Sequence, residues 1–229
     1  MPPNGYHNAV HVADVVQLMY LQTGVGGPLE LFCGDPIVRL SAILAAVVHD
    51  LAHPGFSNAF LTSVNHALVK EYGIVSTNEH MHIAVFQHLV SQQHLDFLST
   101  LSSENKKRVF RYVDEMILST DMSRHFQILQ TEVSEQGEQH LVFLLCIALK
   151  VSDLSHTMRG FRQHAQFVGC LKDELYSQGD AEKAQGLEVG IGMDREEEIE
   201  LIGDSQSGFL SFLLCRSSIG YAKYLAEVR

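Results

Sequence analysis

Thirteen histidines in 229 residues, none of them adjacent to another, are the first chemical signal in this chain. His7 and His11 stand four apart in Tyr6-His7-Asn8-Ala9-Val10-His11. On a helix that spacing puts both imidazoles on one face, where they can converge on one small site. With this many histidines roughly 0.7 such pairs arise by chance, so the pair alone carries little. His49-Asp50-Leu51-Ala52-His53-Pro54-Gly55 says more. There an imidazole beside a carboxylate emerges from the apolar run Leu44–Val48, and burying either group is costly unless it has a partner. Such a pair can bind a cation, and the two oxygens of Asp50 can bridge two ions. The structural alternative is a helix end with His49 set favourably against the helix dipole.

Three further segments hold ligand types. Asn78-Glu79-His80-Met81-His82 is rich in them but does not have the spacing of the HExxH zinc motif, and Glu79 also suits a first helical turn. Thr120-Asp121-Met122-Ser123 reads as a polar helix end. In Val151-Ser152-Asp153-Leu154-Ser155-His156, Asp153 follows the apolar run Leu141–Leu149 and again needs a partner. Each of these alone is structural more often than functional. Other chemistries fail on spacing. There is no GxxxxGK[ST] phosphate loop, Gly203-Asp204-Ser205-Gln206-Ser207 misses GxSxG, and Gly190-Ile191-Gly192 has no third glycine and no preceding strand.

The elements that must position these groups are helical, because apolar residues recur with helical period and no run alternates with period two. The pattern predicts helices over about Tyr6–Gln22, Pro36–Leu51, Ser57–Tyr72, Asn78–Gln92, Ser103–Leu129, 138–156, 160–177 and 205–227. The cluster Asp194-Arg195-Glu196-Glu197-Glu198 reads as a solvated loop or exposed helix edge. One all-α domain over residues 1–229 is the economical architecture. A formal charge of −11 does not suit a non-specific nucleic-acid binder, which needs a basic face. A phosphate-bearing substrate then requires another source of positive charge, for which a metal is the usual supplier. Cys33, Cys146, Cys170 and Cys215 form no CxxC pair, which suits reduced thiols in a cytoplasmic protein. No apolar stretch reaches membrane-spanning length, and Met1–Gly5 has no signal-peptide pattern. Oligomeric state has no signature in this sequence.

Taken together and in order, these segments resemble the catalytic domain of the class I cyclic-nucleotide phosphodiesterases, within the HD-type metal-dependent phosphohydrolases. The matching pieces are Tyr6-His7-Asn8…His11, His49-Asp50-Leu51-Ala52-His53-Pro54-Gly55 with Asn58 and Phe60, and Glu79…His82-Ile83-Ala84-Val85. They continue with Thr120-Asp121-Met122-Ser123-Arg124-His125, Ser152-Asp153-Leu154-Ser155 and Ser205-Gln206-Ser207-Gly208-Phe209. His80-Met81 stands where the family has Asn-His, and His156-Thr157 where many members have Asn-Pro.

The resemblance implies a compact all-α domain with two divalent ions, Zn2+ in a tight site and Mg2+ or Mn2+ in a second. It implies that His11, His49, Asp50 and Asp153 hold the tight ion, with Asp50 bridging to the other. His7 would be the general acid, and His53, Glu79 and Asp121 would hold waters on the metals. Gln206, Phe209 and Leu171 would take the purine, with Tyr6 and His156 also at the substrate. The implied reaction is hydrolysis of cAMP or cGMP, a small-molecule substrate, by a hydroxide shared between the ions. Family domains carry more helix before His7 and after Arg229, so the resemblance also implies a domain truncated at both ends. Two alternatives stand beside it: a nucleotide-binding regulatory module of the same fold with impaired turnover, and another HD-type phosphohydrolase. Gln206-Ser207-Gly208-Phe209 argues against the last.

Overall fold

The computed structural model describes residues 4–125 and 137–196. Among the described residues it has eight α-helices, two short 3₁₀ turns and no strand. The helices are α1 (Ala9–Thr23), α2 (Pro36–Val48), α3 (Asn58–Ser63), α4 (Ala67–Tyr72), α5 (Thr77–Ser91), α6 (Ser103–Thr120), α7 (Glu138–Asp153) and α8 (Phe161–Ala184). The turns are Met122–Arg124 and Ser155–Met158.

Local chemistry sets most of the starts. Asn8, Asp35, Ser57 and Ser102 each accept a backbone N–H from the first turn of the helix that follows, and Pro36 occupies a first-turn position where no N–H is required. Asn8 therefore moves the start of α1 to Ala9, later than the periodicity predicts. The predicted helix over Ser57–Tyr72 is two helices. Asn65 breaks it at φ 49°, a left-handed conformation that asparagine tolerates, and His66 caps α4. The helix predicted to reach Leu129 stops at Thr120, because Asp121 adopts ψ 118° and caps the turn after it. The 138–156 helix closes at Asp153, followed by a 3₁₀ turn. The last described helix outruns its predicted end at 177 and continues to Ala184. The Met193 carbonyl lies where a side chain at Gly179 would project, so glycine serves close packing here rather than termination.

The core lies where α2 packs between α1 and α6, with α7 against α1 and α6 and α5 against α6. Ala42, Ala45 and Ala46 of α2 are completely buried, and their small side chains admit Val15 and Met19, Val113 and Met116, and Leu145 and Leu149 from the neighbouring helices. Polar ties then fix the end of the bundle that carries the candidate residues. Gln22 Nε2 donates to Ala148 O at 3.1 Å and to Ser152 Oγ at 2.7 Å, joining α1 to the last turn of α7. Asp14 of α1 accepts from Ser155 and pairs with Arg159 at 2.6 Å, which holds the turn after Asp153.

Candidate metal centre

Three helix segments meet at one end of the core. His11 stands on α1, His49 and Asp50 follow the last turn of α2, and Asp153 ends α7. One ligand atom from each of these four side chains lies within 4.8 Å of all the others. His11 Nε2 is 3.2 Å from His49 Nε2, 3.1 Å from Asp50 Oδ2 and 3.0 Å from Asp153 Oδ1. His49 Nε2 is 3.1 Å from Asp50 Oδ2 and 3.4 Å from Asp153 Oδ1. His49 Nδ1 faces the Ala46 carbonyl at 2.9 Å, which fixes the proton on that nitrogen and leaves the Nε2 lone pair for the cluster.

This donor set fits a cation. For bonds of about 2.0–2.1 Å, neighbouring donors are about 2.9–3.4 Å apart across octahedral and tetrahedral geometries. The separations here, 3.0 to 3.4 Å, fall in that band. Asp50 Oδ2 is buried with the two ring nitrogens 3.1 Å away as its polar neighbours. A buried carboxylate oxygen facing only imidazoles calls for positive charge at that point. The rings register the same imbalance: burial lowers His11, but Asp153 and Asp50 outweigh it and raise the imidazole to about 9.

A second set of groups adjoins Asp50. Ligand atoms of His7, Asp50 and His53 also converge within 4.8 Å. The His7 ring stacks on His53 at 3.9 Å between centroids. His53 Nδ1 accepts the Gly55 N–H at 3.0 Å, and burial, with His7 adding to it, lowers His53 to about 3, so it is neutral. Tyr6 is buried between His11, His7 and His156. Burial and then the charges of Asp153 and Asp50 raise its hydroxyl well above the usual phenol range.

Glu174 is the group that sequence reading misses. From α8, 167 residues away, its Oε1 pairs with His7 Nδ1, and its Oε2 accepts the backbone N–H of Tyr6 at 2.8 Å and of His7 at 3.0 Å. Burial alone would raise this carboxyl, but the His7 contacts and the two backbone donors lower it to about 2. The ion pair orients the imidazole and favours its protonated form.

Glu79 is buried, accepts from Asn58 Nδ2 at 2.9 Å, and is raised first by burial, with Asp121 and Asp50 adding to it. Asp121 accepts from Ser76 Oγ at 2.6 Å and Ser123 N at 2.8 Å. His82 turns Nδ1 to the Leu51 carbonyl at 2.7 Å and Nε2 toward Asp50 Oδ1 at 3.9 Å. His156 is buried, with Nδ1 3.2 Å from His164 Nδ1, and its ring packs near Tyr6 and Phe167. Leu171 lies half-buried on α8. Gln206, Phe209 and the helix predicted over 205–227 lie outside the described residues, as do Glu197 and Glu198; Asp194 and Arg195 pair with Lys183 and Asp180.

The model of the 3'5'-cyclic nucleotide phosphodiesterase family matches residues 6–228. A "High affinity cGMP-specific 3',5'-cyclic phosphodiesterase 9A" from Mus musculus is 30% identical over 92% of this chain and 40% of its own length. A "Probable 3',5'-cyclic-AMP phosphodiesterase pde-4" from Caenorhabditis elegans is 32% identical over 92% of this chain and 33% of its own length. The "3',5'-cyclic-AMP phosphodiesterase 4C" of Rattus norvegicus is 32% identical over 91% of this chain and 41% of its own. The chain thus spans about two fifths or less of the curated relatives it matches.

Proposed function

The chain belongs to the 3'5'-cyclic nucleotide phosphodiesterase family, and from that premise we propose that it hydrolyses 3',5'-cyclic nucleotides to 5'-nucleotides with two divalent ions, Zn2+ at the tighter site and Mg2+ or Mn2+ beside it. The observation that carries this is the convergence of two imidazoles and two carboxylates within 4.8 Å of one another, beside an ion-paired histidine.

His11, His49, Asp50 and Asp153 would hold the tight ion, and Asp50 would also help hold the second. When bound, the ions supply a nucleophile at neutral pH and offset charge on the phosphoryl oxygens. His7 gives its proton to the 3'-oxygen as the P–O bond breaks, since an alkoxide is a poor leaving group. Glu174 keeps the imidazole oriented and charged for that transfer. His53 stacks on His7 and stays neutral, so it offers hydrogen bonds near Asp50 without competing for the proton. Glu79 and Asp121 would accept hydrogen bonds from waters on the ions, Asp121 from those of the second. Tyr6, His156 and Leu171 border the substrate, and on the sequence match Gln206 and Phe209 take the purine. Relatives named for cGMP and for cAMP match at nearly equal identity, so the assignment is to the class rather than to one base. The substrate is a small molecule rather than nucleic acid, consistent with the −11 charge. No helix among the described residues is long and apolar enough to cross a membrane, and we assign the activity to the cytoplasm on the cysteine usage.

The test is turnover of cAMP and cGMP with Mg2+, before and after chelation. Loss on chelation and recovery with Zn2+ plus Mg2+ is expected. Folded, metal-loaded protein that binds nucleotide without turnover would instead make the chain a regulatory module.

A further inference from the structure

The start of α5 does not behave as its sequence suggests. Ser76-Thr77-Asn78-Glu79 has the Ser-x-x-Glu spacing of a capping box, in which serine accepts the N–H three residues on and glutamate reaches back. Ser76 makes no such bond. Its hydroxyl turns away from the helix and donates to Asp121 Oδ2 at 2.6 Å, and Glu79 takes the Asn58 amide. Asn58 caps α5 from outside, accepting the Asn78 N–H at 2.9 Å. Ser76 is buried and sits at φ 50°, ψ 46°, a left-handed conformation that strains a residue with a Cβ. The serine thus sits in a strained backbone state, Asn58 takes its usual task, and its hydroxyl serves Asp121 instead.

That hydroxyl acts on one carboxylate. Asp121 Oδ1 accepts the Ser123 N–H at 2.8 Å and Oδ2 accepts Ser76, so rotation of the carboxylate is fixed from both oxygens. Asp121 and Asp50 both act electrostatically on Glu79, so the three acids share one polar region. Lys150, whose Nζ donates to Ser119 O at 2.8 Å, braces the end of α6 beside it.

We propose that Ser76 is a positioning residue for the second-ion site: it gives up capping α5 in order to aim the Asp121 carboxylate, and it thereby sets the α5 start against the α6 end. This rests on Asp121 holding waters of that ion, as proposed above. The experiment titrates the full chain, loaded with one equivalent of Zn2+, with Mn2+ followed by EPR, alongside thermal melting. Ser76→Gly removes the hydroxyl and relieves the left-handed strain; Asp121→Asn is the reference. Removing groups that orient a metal's surroundings costs about 10–100-fold in affinity, so Asp121→Asn is expected in that range and Ser76→Gly at about 3–10-fold. The melting temperature of Ser76→Gly should be kept or raised. Mn2+ affinity unchanged in Ser76→Gly but weakened in Asp121→Asn overturns the role of Ser76. Affinity unchanged in both overturns the reading of Asp121 itself. Affinity and melting temperature of Ser76→Gly falling together reduces Ser76 to a structural residue and overturns the proposal.

Discussion

The middle of α2 and its C-terminal end share a helix and little else. Ala42, Ala45 and Ala46 pack apolar against apolar with no exposed surface, so each contact lowers the free energy of folding by itself. Three residues on, His49 is as deeply buried and Asp50 nearly so, but both are polar. Their burial opposes folding unless each finds a partner, and the partners come from α1 and α7. The difference teaches where stability and chemistry are held: the helix middles hold the chain together, and the helix ends gather charged groups that could hold a cation.

Four substitutions sharpen or break that division. Asp50→Asn should have the largest effect, with loss of the tightly held metal and a fall in turnover beyond about 100-fold, the upper end for groups that only support a site. Helix content by circular dichroism should be retained, and unfolding of the variant would place Asp50 among the groups that hold the fold. His7→Ala should keep the metal but slow cyclic-nucleotide hydrolysis by about 10²–10⁴-fold. A nitrophenyl phosphodiester, whose leaving group needs no proton, should lose far less; equal losses on both substrates exclude His7 as the acid.

Leu145→Ala in α7 should do the reverse, destabilising the chain by about 2–5 kcal/mol in denaturant titration while metal content and turnover of the folded protein stay the same. Altered metal content would mean that core and site are not separable. Glu174→Gln is the mildest. Burial lowers His7, but Asp50 and Glu174 raise it above its ordinary value overall, so loss of the Glu174 charge lowers it. The acid must be protonated to act, so the alkaline limb of kcat should move to lower pH. A limb that stays in place would mean that Glu174 does not govern the His7 proton.

The sequence made the tight cluster legible through neighbours. His49-Asp50 interrupts an apolar helix, Asp153 follows another, and the ordered series of segments joins them to His11. The all-helical class was equally open, because periodicity depends on local burial. Residues whose role depends on contacts far along the chain were not visible. Glu174 lies on a helix with a largely polar surface, and nothing around it marks a carboxylate that reaches Tyr6 and His7. Ser76 was hidden by an ordinary meaning, since Ser-x-x-Glu spells a helix cap. The break at Asn65 carries no glycine or proline, and Gly179 carries a glycine where no break occurs.

Anomalous diffraction from a nucleotide-soaked crystal, collected at the zinc edge, tests the centre directly. A peak bonded to His11 Nε2, His49 Nε2, Asp50 Oδ2 and Asp153 Oδ1, with the nucleotide's phosphate on the His7 side, is the expected result. A peak held by His7, Asp50 and His53 instead, or no ordered metal beside these residues, would contradict it.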